Sequence, residues 1–144
     1  MARKVQWLLT TMALALSLTT AEAAQLAVRL VHASNTAPAK EDKELAENKT
    51  RLVKAFGWRE YQVLSHVGAS LKEGGVKQLD LGHQLALRVK LLKAGGKDYL
   101  LRCELLRGEE NLVQTTATIS SGSAFFITGP PYQEGQLLIS IAIR

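Results

Sequence analysis

The chain is poor in cysteine and has only one, Cys103, among its 144 residues. A single cysteine excludes an internal disulfide, so the fold cannot depend on a covalent cross-link. Cys103 alternates with Leu101 and Leu105, which predicts that its side chain faces the core as a small hydrophobic group. The alternative is an intermolecular disulfide, which an odd cysteine in an exported protein permits.

The chain also lacks an uninterrupted apolar run long enough to cross a bilayer, which takes roughly 20 residues. Its most apolar run, Trp7–Leu18, follows Arg3 and Lys4 and precedes Ala21-Glu22-Ala23. This order is typical of a secretory signal peptide, which has a positively charged start, then a short apolar region, then small residues before the cleavage point. We therefore expect residues 1–23 to be a signal peptide that is cleaved after Ala23.

Cleavage at that point leaves residues 24–144, a length that suits one domain with its own hydrophobic core. No second apolar segment follows the cut as an anchor, and no cysteine lies beside it to carry a lipid. We predict a single β-rich domain that is exported, either periplasmic or secreted, with no membrane span after cleavage.

Basic residues are not concentrated in any part of the chain. Removing Arg3, Lys4 and Glu22 from the 18 basic and 13 acidic residues leaves 16 and 12, a net charge of +4. A nucleic-acid-binding protein would cluster its basic residues on one face with stacking aromatics between them. The scattered charge excludes that class and indicates a solvated surface, with a weak attraction to anionic envelope polymers as the alternative.

Residues at the spacing of a metal or catalytic site are missing as well. His32, His66 and His83 have no His, Cys or acidic partner at ligand spacing, although a zinc site assembled from all three in space stays open. The segment Ser120–Ser123 lacks the frame of a nucleophile elbow. The sequence thus predicts no catalytic, cofactor-binding or metal-binding residue and no cofactor.

Most of the chain alternates apolar and polar residues between glycine-rich turns, as half-buried strands do. This pattern predicts an antiparallel β-sandwich or small barrel. The strands are predicted over 25–33, 58–67, 69–72, 76–81, 85–91, 99–105, 113–119, 124–128 and 136–144. Gly68 predicts a break, Gly74-Gly75 a hairpin turn, and Gly129-Pro130-Pro131 the end of a strand.

One amphipathic helix is predicted over about 42–56, after the first strand. Leu45, Leu52, Val53 and Phe56 lie close to one stripe, and Gly57 suits the left-handed position that follows a helix. This helix would either cross over one sheet face or plug one end of the sandwich.

The segment 113–143 contains a Ser-Gly-Ser turn, the apolar residues 125–127, Gly129 and a closing apolar strand at 137–139. In these features it resembles the C-terminal hairpin region of bacterial secretins. Secretins are far longer, and they typically continue Gly-Gly-Leu where this chain has 128–131. The predicted mature chain as a whole resembles small exported bacterial β-domain proteins of unassigned function.

The last predicted strand is apolar on both faces, so it is either internal to a sheet or covered. At an edge, its unpaired backbone would invite another strand. The stiff loop before it would form an aromatic rim for such a contact. The candidate partner-contact residues are Phe125, Pro130, Pro131, Tyr132 and Leu138.

We therefore expect an exported, non-enzymatic envelope or periplasmic protein that binds a protein or polymer partner through a β-sheet surface. The alternative is a small hydrolase or ligand carrier whose site is assembled from residues distant in sequence. A pocket that collects two histidines and a carboxylate would favour this alternative.

Overall fold

The computed structural model describes residues 23–36 and 43–144. Its helices and strands are β1 (Ala23–Ser34), α1 (Lys43–Glu47), α2 (Lys49–Phe56), β2 (Glu60–Lys72), β3 (Val76–Gly82), β4 (Leu85–Gly95), β5 (Asp98–Arg107), β6 (Glu110–Ser120), β7 (Ala124–Tyr132) and β8 (Gly135–Ile143). Sheet A has the strand order β2-β1-β8-β7, and sheet B has the order β3-β4-β5-β6. All pairings are antiparallel, and the sheets form a sandwich that is not closed into a barrel. The predicted mostly-β fold class is confirmed, whereas residues 1–22 of the predicted signal peptide lie outside the described residues.

The main core lies between the two sheets, where alternate side chains of each strand point inward. Leu87 of β4 lies opposite Leu105 of β5, and Val89 lies opposite Cys103. All four side chains are fully buried. Each aliphatic side chain buried in this way contributes roughly 1.5–3 kcal/mol, which explains how the fold is held without a disulfide. The predicted β4–β5 hairpin and the inward direction of Cys103 are confirmed.

The helices cover part of the outer face of sheet A and form a second, smaller core there. Leu45 and Leu52 pack with the outward-facing Val31 and Leu138 of the sheet. The predicted helix is divided at Asn48 into two short segments. Val53 was expected on the buried stripe but is 36% exposed, because it lies a full 100° around the helix from Leu52.

Glycine ends the helix as predicted. Gly57 has a φ of 82°, and its N–H donates to the carbonyl of Val53 at 2.8 Å. This left-handed conformation is open to glycine because it has no Cβ, and it turns the chain from α2 towards β2.

Two glycine-based predictions are wrong. Strand β2 runs through Gly68, because Gly68 is paired with Ala27 in the ladder to β1. The Gly74-Gly75 turn does not close a hairpin, since it carries the chain from sheet A to sheet B. Its backbone instead bonds to Leu91 of β4, whose carbonyl accepts from Gly74 and whose N–H donates to Gly75.

The prediction that proline ends the strand after Thr128 is also wrong. Strand β7 continues through Pro130 and Pro131 to Tyr132. It is an edge strand with a register shift between Thr128 and Pro131, and an edge or bulge is where a sheet tolerates residues without an N–H.

The C-terminal strand β8 is internal, paired with β1 on one side and β7 on the other. Its inward Ile139 enters the sandwich core, and its outward Leu138 lies beneath the helices. This position explains why the strand is apolar on both faces. The arrangement in which β8 would offer an unpaired edge to a partner is not the one that the fold adopts.

Candidate functional site

The outer face of sheet B is a ladder of polar side chains that bind one another. Arg88 Nη1 donates to Glu104 Oε2 at 3.2 Å, and Arg88 Nη2 donates to Gln78 Oε1 at 3.1 Å. Arg102 Nε lies 3.8 Å from Glu104 Oε1. Half-exposed pairs of this kind contribute little to stability, and they are typical of a solvated surface.

The outer face of sheet A differs, because the helices cover one end of it and leave the other open. At the open end, Gly68, Ala27, Ala142 and Ala124 lie opposite one another on β2, β1, β8 and β7 in turn. These four residues form a row of small side chains that crosses the whole sheet. We call this row, together with the flanking helix α2, the outer trough.

Helix α2 forms one wall of the outer trough at β7 and β8. Arg51, Ala55 and Phe56 border a cleft of about 560 Å³ between α2 and strands β7 and β8. Phe56 meets Phe126 of β7 edge to face, with ring centroids 5.6 Å apart. The C-terminal end of α2 therefore contacts β7 through a pair of aromatic rings.

A second depression, of about 400 Å³, continues the open face towards β2. It is bordered by His66, Gly68 and Ser70 of β2 and by Arg144 after β8. Because Ala27 and Ala142 are neighbours across β1 and β8, this depression and the cleft lie along the same outer trough. Between them, the two depressions border all four strands.

Positive charge borders the outer trough. Arg29, Arg51 and Arg144 line the two depressions, and no described lining residue is Asp or Glu. Arg29 is engaged in an interaction within the chain. Arg51 and Arg144 are exposed. Guanidinium groups bind carboxylates and phosphates in a bidentate geometry, so this margin suits an anionic ligand.

The five residues predicted to contact a partner do not form one surface. Leu138 is 0% exposed beneath the helices, and Phe125 packs against the sandwich core while bordering the cleft. Pro130, Pro131 and Tyr132 lie on β7 at the end of the sheet away from Ala124. Of the five, only Phe125 touches the outer trough.

Tyr132 packs between two histidines at that far end. Its ring centroid lies 5.1 Å from that of His32 and 5.3 Å from that of His83, both edge to face. His32 Nε2 also donates to the Tyr132 carbonyl at 3.1 Å. His66 lies apart from this pair, in the outer trough. Within the described residues, no three His, Cys, Asp or Glu side chains form a group that could hold a metal.

The same end carries two tight turns, which lie between the predicted strands 76–81 and 85–91 and between the predicted strands 124–128 and 136–144. His83 and Gln84 join β3 to β4, and Gln133 and Glu134 join β7 to β8, all four with positive φ. Two-residue hairpin turns with two positive φ values usually contain Asn-Gly or a similar pair, so these turns lacked the usual pattern. They hold the rings of His83 and Tyr132 together.

Cys103 takes no part in either surface. Its side chain is fully buried in the sandwich core, and burial raises the pKa of its thiol from 9.0 to about 11. The thiolate is the reactive form, and an apolar environment suppresses it at neutral pH.

The outer trough was missed by the sequence analysis because its residues come from both ends of the chain. The only trace in the sequence is a small residue at an outward-facing position of each of four strands: Ala27, Gly68, Ala124 and Ala142. Only the strand order shows that these four residues lie in one row.

Comparison of the chain with protein-family models, with curated proteins and with solved structures finds no match in any of the three. The resemblance to the secretin hairpin region therefore stays a prediction. In the part of the chain that the structure describes, no helix is long and apolar enough to cross a membrane.

Proposed function

We propose that this chain is an exported, non-enzymatic protein of the cell envelope that binds a partner protein through the outer trough. The observation that carries the proposal is the cleft between α2 and sheet A. It combines the guanidinium group of Arg51 with the rings of Phe56 and Phe126. Concave surfaces that combine apolar side chains with precisely placed polar groups are the usual form of a binding site.

The chemistry of the cleft favours binding over catalysis. Its described polar lining consists of Arg, Ser and Asn side chains. An arginine stays protonated in proteins, and serine and asparagine do not titrate near neutrality. The described lining of the cleft can therefore hold an anionic or hydrogen-bonding group, and none of its described side chains is a general base of the kind that hydrolysis needs.

The difference between the two outer faces supports the same assignment. On sheet B, Arg88 donates a hydrogen bond to Glu104, so these charged groups are paired without a ligand. On sheet A, the helices cover only one end of the face and leave a concavity at the other. A partner that filled the outer trough would cover this remaining surface.

The proposal is tested by chemical cross-linking of the purified chain in an envelope extract. Ala124→Cys places a reactive thiol at the exposed margin of the outer trough, and Thr116→Cys places one on the exposed face of sheet B. The native Cys103 is buried and does not compete for the reagent. Both variants are coupled to a photo-activated linker and irradiated.

We expect a product of one discrete mass from Ala124→Cys and none from Thr116→Cys. Adding Arg51→Glu to Ala124→Cys should abolish that product while leaving the urea unfolding midpoint unchanged, because Arg51 is exposed. Identical products from the two positions, or a product that persists with Arg51→Glu, would reject the outer trough as the binding surface.

A further inference from the structure

We infer that the partner segment bound in the outer trough is an amphipathic α-helix with an acidic face, lying along the row from Gly68 to Ala124 across the four strands of sheet A. This inference rests on the proposed function and specifies the shape and charge of the ligand. It follows from the direction of the outer trough, from the size of its floor residues and from the charges at its margin.

The direction of the outer trough is set by the row from Gly68 to Ala124, which crosses the four strands of sheet A. Near the start of α2, Lys49 pairs with Glu60 of β2 at 3.0 Å, and at its end Phe56 meets Phe126 of β7. Helix α2 therefore crosses sheet A from one edge strand to the other. The row crosses the same four strands but approaches α2 only near β7 and β8, since Glu60 and Gly68 are eight residues apart on β2. A second helix on the row would pack on the same sheet face as α2, at an angle to it.

The dimensions suit a short helix. Adjacent strands lie about 4.8 Å apart, so the two edge strands of sheet A are separated by roughly 14 Å. A helix rises 1.5 Å per residue, so about ten residues span this distance. Helices pack at an interaxial distance of roughly 8–10 Å, and the small side chains of Ala27 and Ala142 allow a second helix to approach the sheet closely.

Two other kinds of occupant fit less well. An extended peptide binds by adding to an unpaired sheet edge. The floor of the outer trough is instead a sheet face, where Ala27 lies in a strand that is paired on both sides. A polysaccharide binds by stacking its sugar rings on flat, exposed aromatic rings, whereas the floor is alanine and glycine and its nearest rings, Phe56 and Phe126, pack against each other.

Charge complementarity specifies the helix further. Arg51 lies on the wall, and Arg144 lies at the opposite end of the outer trough, with no acidic residue among the described lining. A helix with apolar residues towards the floor and Glu residues towards these arginines would satisfy both. Exposed pairs of this kind are screened by salt, so binding should weaken as ionic strength rises.

The test uses a fluorescent, helix-locked peptide of 14 residues with Leu and Ala on one face and Glu on the other. Binding to the full chain is followed by fluorescence anisotropy. The control probes are a peptide of the same composition with its amphipathic order scrambled, a peptide with Lys in place of Glu, and an oligogalacturonate as an anionic polysaccharide.

The variants separate the outer trough from the rest of the surface. Ala142→Trp fills the floor, Arg51→Glu reverses the charge of the wall, and Thr116→Trp adds the same bulk on sheet B. We expect the acidic helix alone to bind, with at least a tenfold loss for the first two variants and none for Thr116→Trp. If Ala142→Trp lowers the unfolding midpoint, Ala124→Trp at the exposed margin takes its place.

Binding of oligogalacturonate without the peptide would overturn the helix inference while leaving the outer trough as the binding surface. Equal binding of the scrambled peptide would overturn the amphipathic helix, and binding of none of the probes would overturn the whole inference. The cross-linking experiment with Ala124→Cys decides the proposed function independently of these results.

Discussion

The phenol of Tyr61, on β2, donates a hydrogen bond of 2.8 Å to the backbone carbonyl of Leu52 in α2. Tyr61 is 4% exposed, and burial raises the pKa of its phenol, so the donor stays protonated at neutral pH. This bond joins the helix layer to sheet A behind the wall of the outer trough. The position of Arg51, next to Leu52 in α2, therefore depends on a hydrogen bond within the chain and not on a bound partner protein.

Removing this hydroxyl should loosen the helix layer. Tyr61→Phe leaves the ring in place but deletes the hydrogen bond, so the free energy of unfolding should fall by about 1 kcal/mol, as measured by urea titration. Tyr99→Phe is the matched control, because Tyr99 is half-buried on sheet B and its hydroxyl donates no hydrogen bond to any described residue. Equal losses in the two variants would contradict the role of the Tyr61–Leu52 bond.

The strand register predicts very different effects at two positions in the β4–β5 hairpin. Leu101 is fully buried in the sandwich core, so Leu101→Ala should lower the free energy of unfolding by roughly 2–5 kcal/mol. Arg88 lies on the exposed outer face, so Arg88→Ala should cost less than about 1 kcal/mol despite its contact with Glu104. Urea titration of both variants provides the measurement, and similar losses would mean that the register is incorrect.

Burial of Cys103 should make stability depend on alkaline pH. The folded-state pKa of the thiol is raised from 9.0 to about 11, so its effect is absent below pH 9 and the free energy of unfolding falls as pH rises towards 11. The loss amounts to roughly 3 kcal/mol. Urea titrations from pH 7 to 11 should show a steeper decline for the native chain than for Cys103→Ala. Parallel curves would show that the thiol is not buried in solution.

The same burial predicts slow thiol chemistry. A disulfide reagent at pH 8 should modify Cys103 slowly in the native chain and quickly in denaturant, with Ala124→Cys as the fast-reacting control. Rapid modification of the native chain would restore the intermolecular disulfide as an explanation for the unpaired cysteine.

A charge introduced at Leu138 should unfold the protein, and its effect should not be limited to loss of a partner contact. Leu138 is 0% exposed between sheet A and the helices, so Leu138→Lys would bury an ammonium group without a partner. We expect an unfolded or aggregated protein by circular dichroism. A folded Leu138→Lys variant that loses only the cross-linked product would show instead that this residue contacts the partner.

Processing should remove residues 1–23. Strand β1 begins at Ala23, the last residue before the predicted cut, and Ala24 is already fully buried. Mass spectrometry of the exported protein should find Ala24 as its first residue. Recovery of a membrane-associated chain that retains Met1 would contradict both the cleavage site and the proposed location in the envelope.

Much of the fold follows from local patterns in the sequence. The alternation around Leu87 and Val89 defines a strand with one buried face, because side chains in a strand point to opposite sides with a period of two. Gly57 ends the helix for an equally local reason, the absence of a Cβ. The alternation of side chains along the strand was enough to predict that Cys103 faces the core, and the structure confirms this orientation.

The wrong predictions concern glycine and proline positions where the arrangement of the sheet decides whether a strand continues. Gly68 continues β2 because β1 supplies its ladder partner, and Pro131 lies within β7 because that strand is at an edge. Neither the pairing of Gly68 with β1 nor the edge position of β7 can be read from the residues around these positions. A glycine or proline weakens a strand locally, but the hydrogen bonds of the whole sheet determine whether the strand ends.

The amino-acid sequence by itself determined the strand periodicity, the helix and the inward direction of Cys103, since each depends on residues within a few positions of one another. Only the tertiary structure decided that β8 is internal and that Gly68, Ala27, Ala142 and Ala124 form one row beside Arg51. That row exists because the first, second, seventh and eighth strands share one sheet. Strand order is fixed by the packing of the whole core, which no local segment encodes.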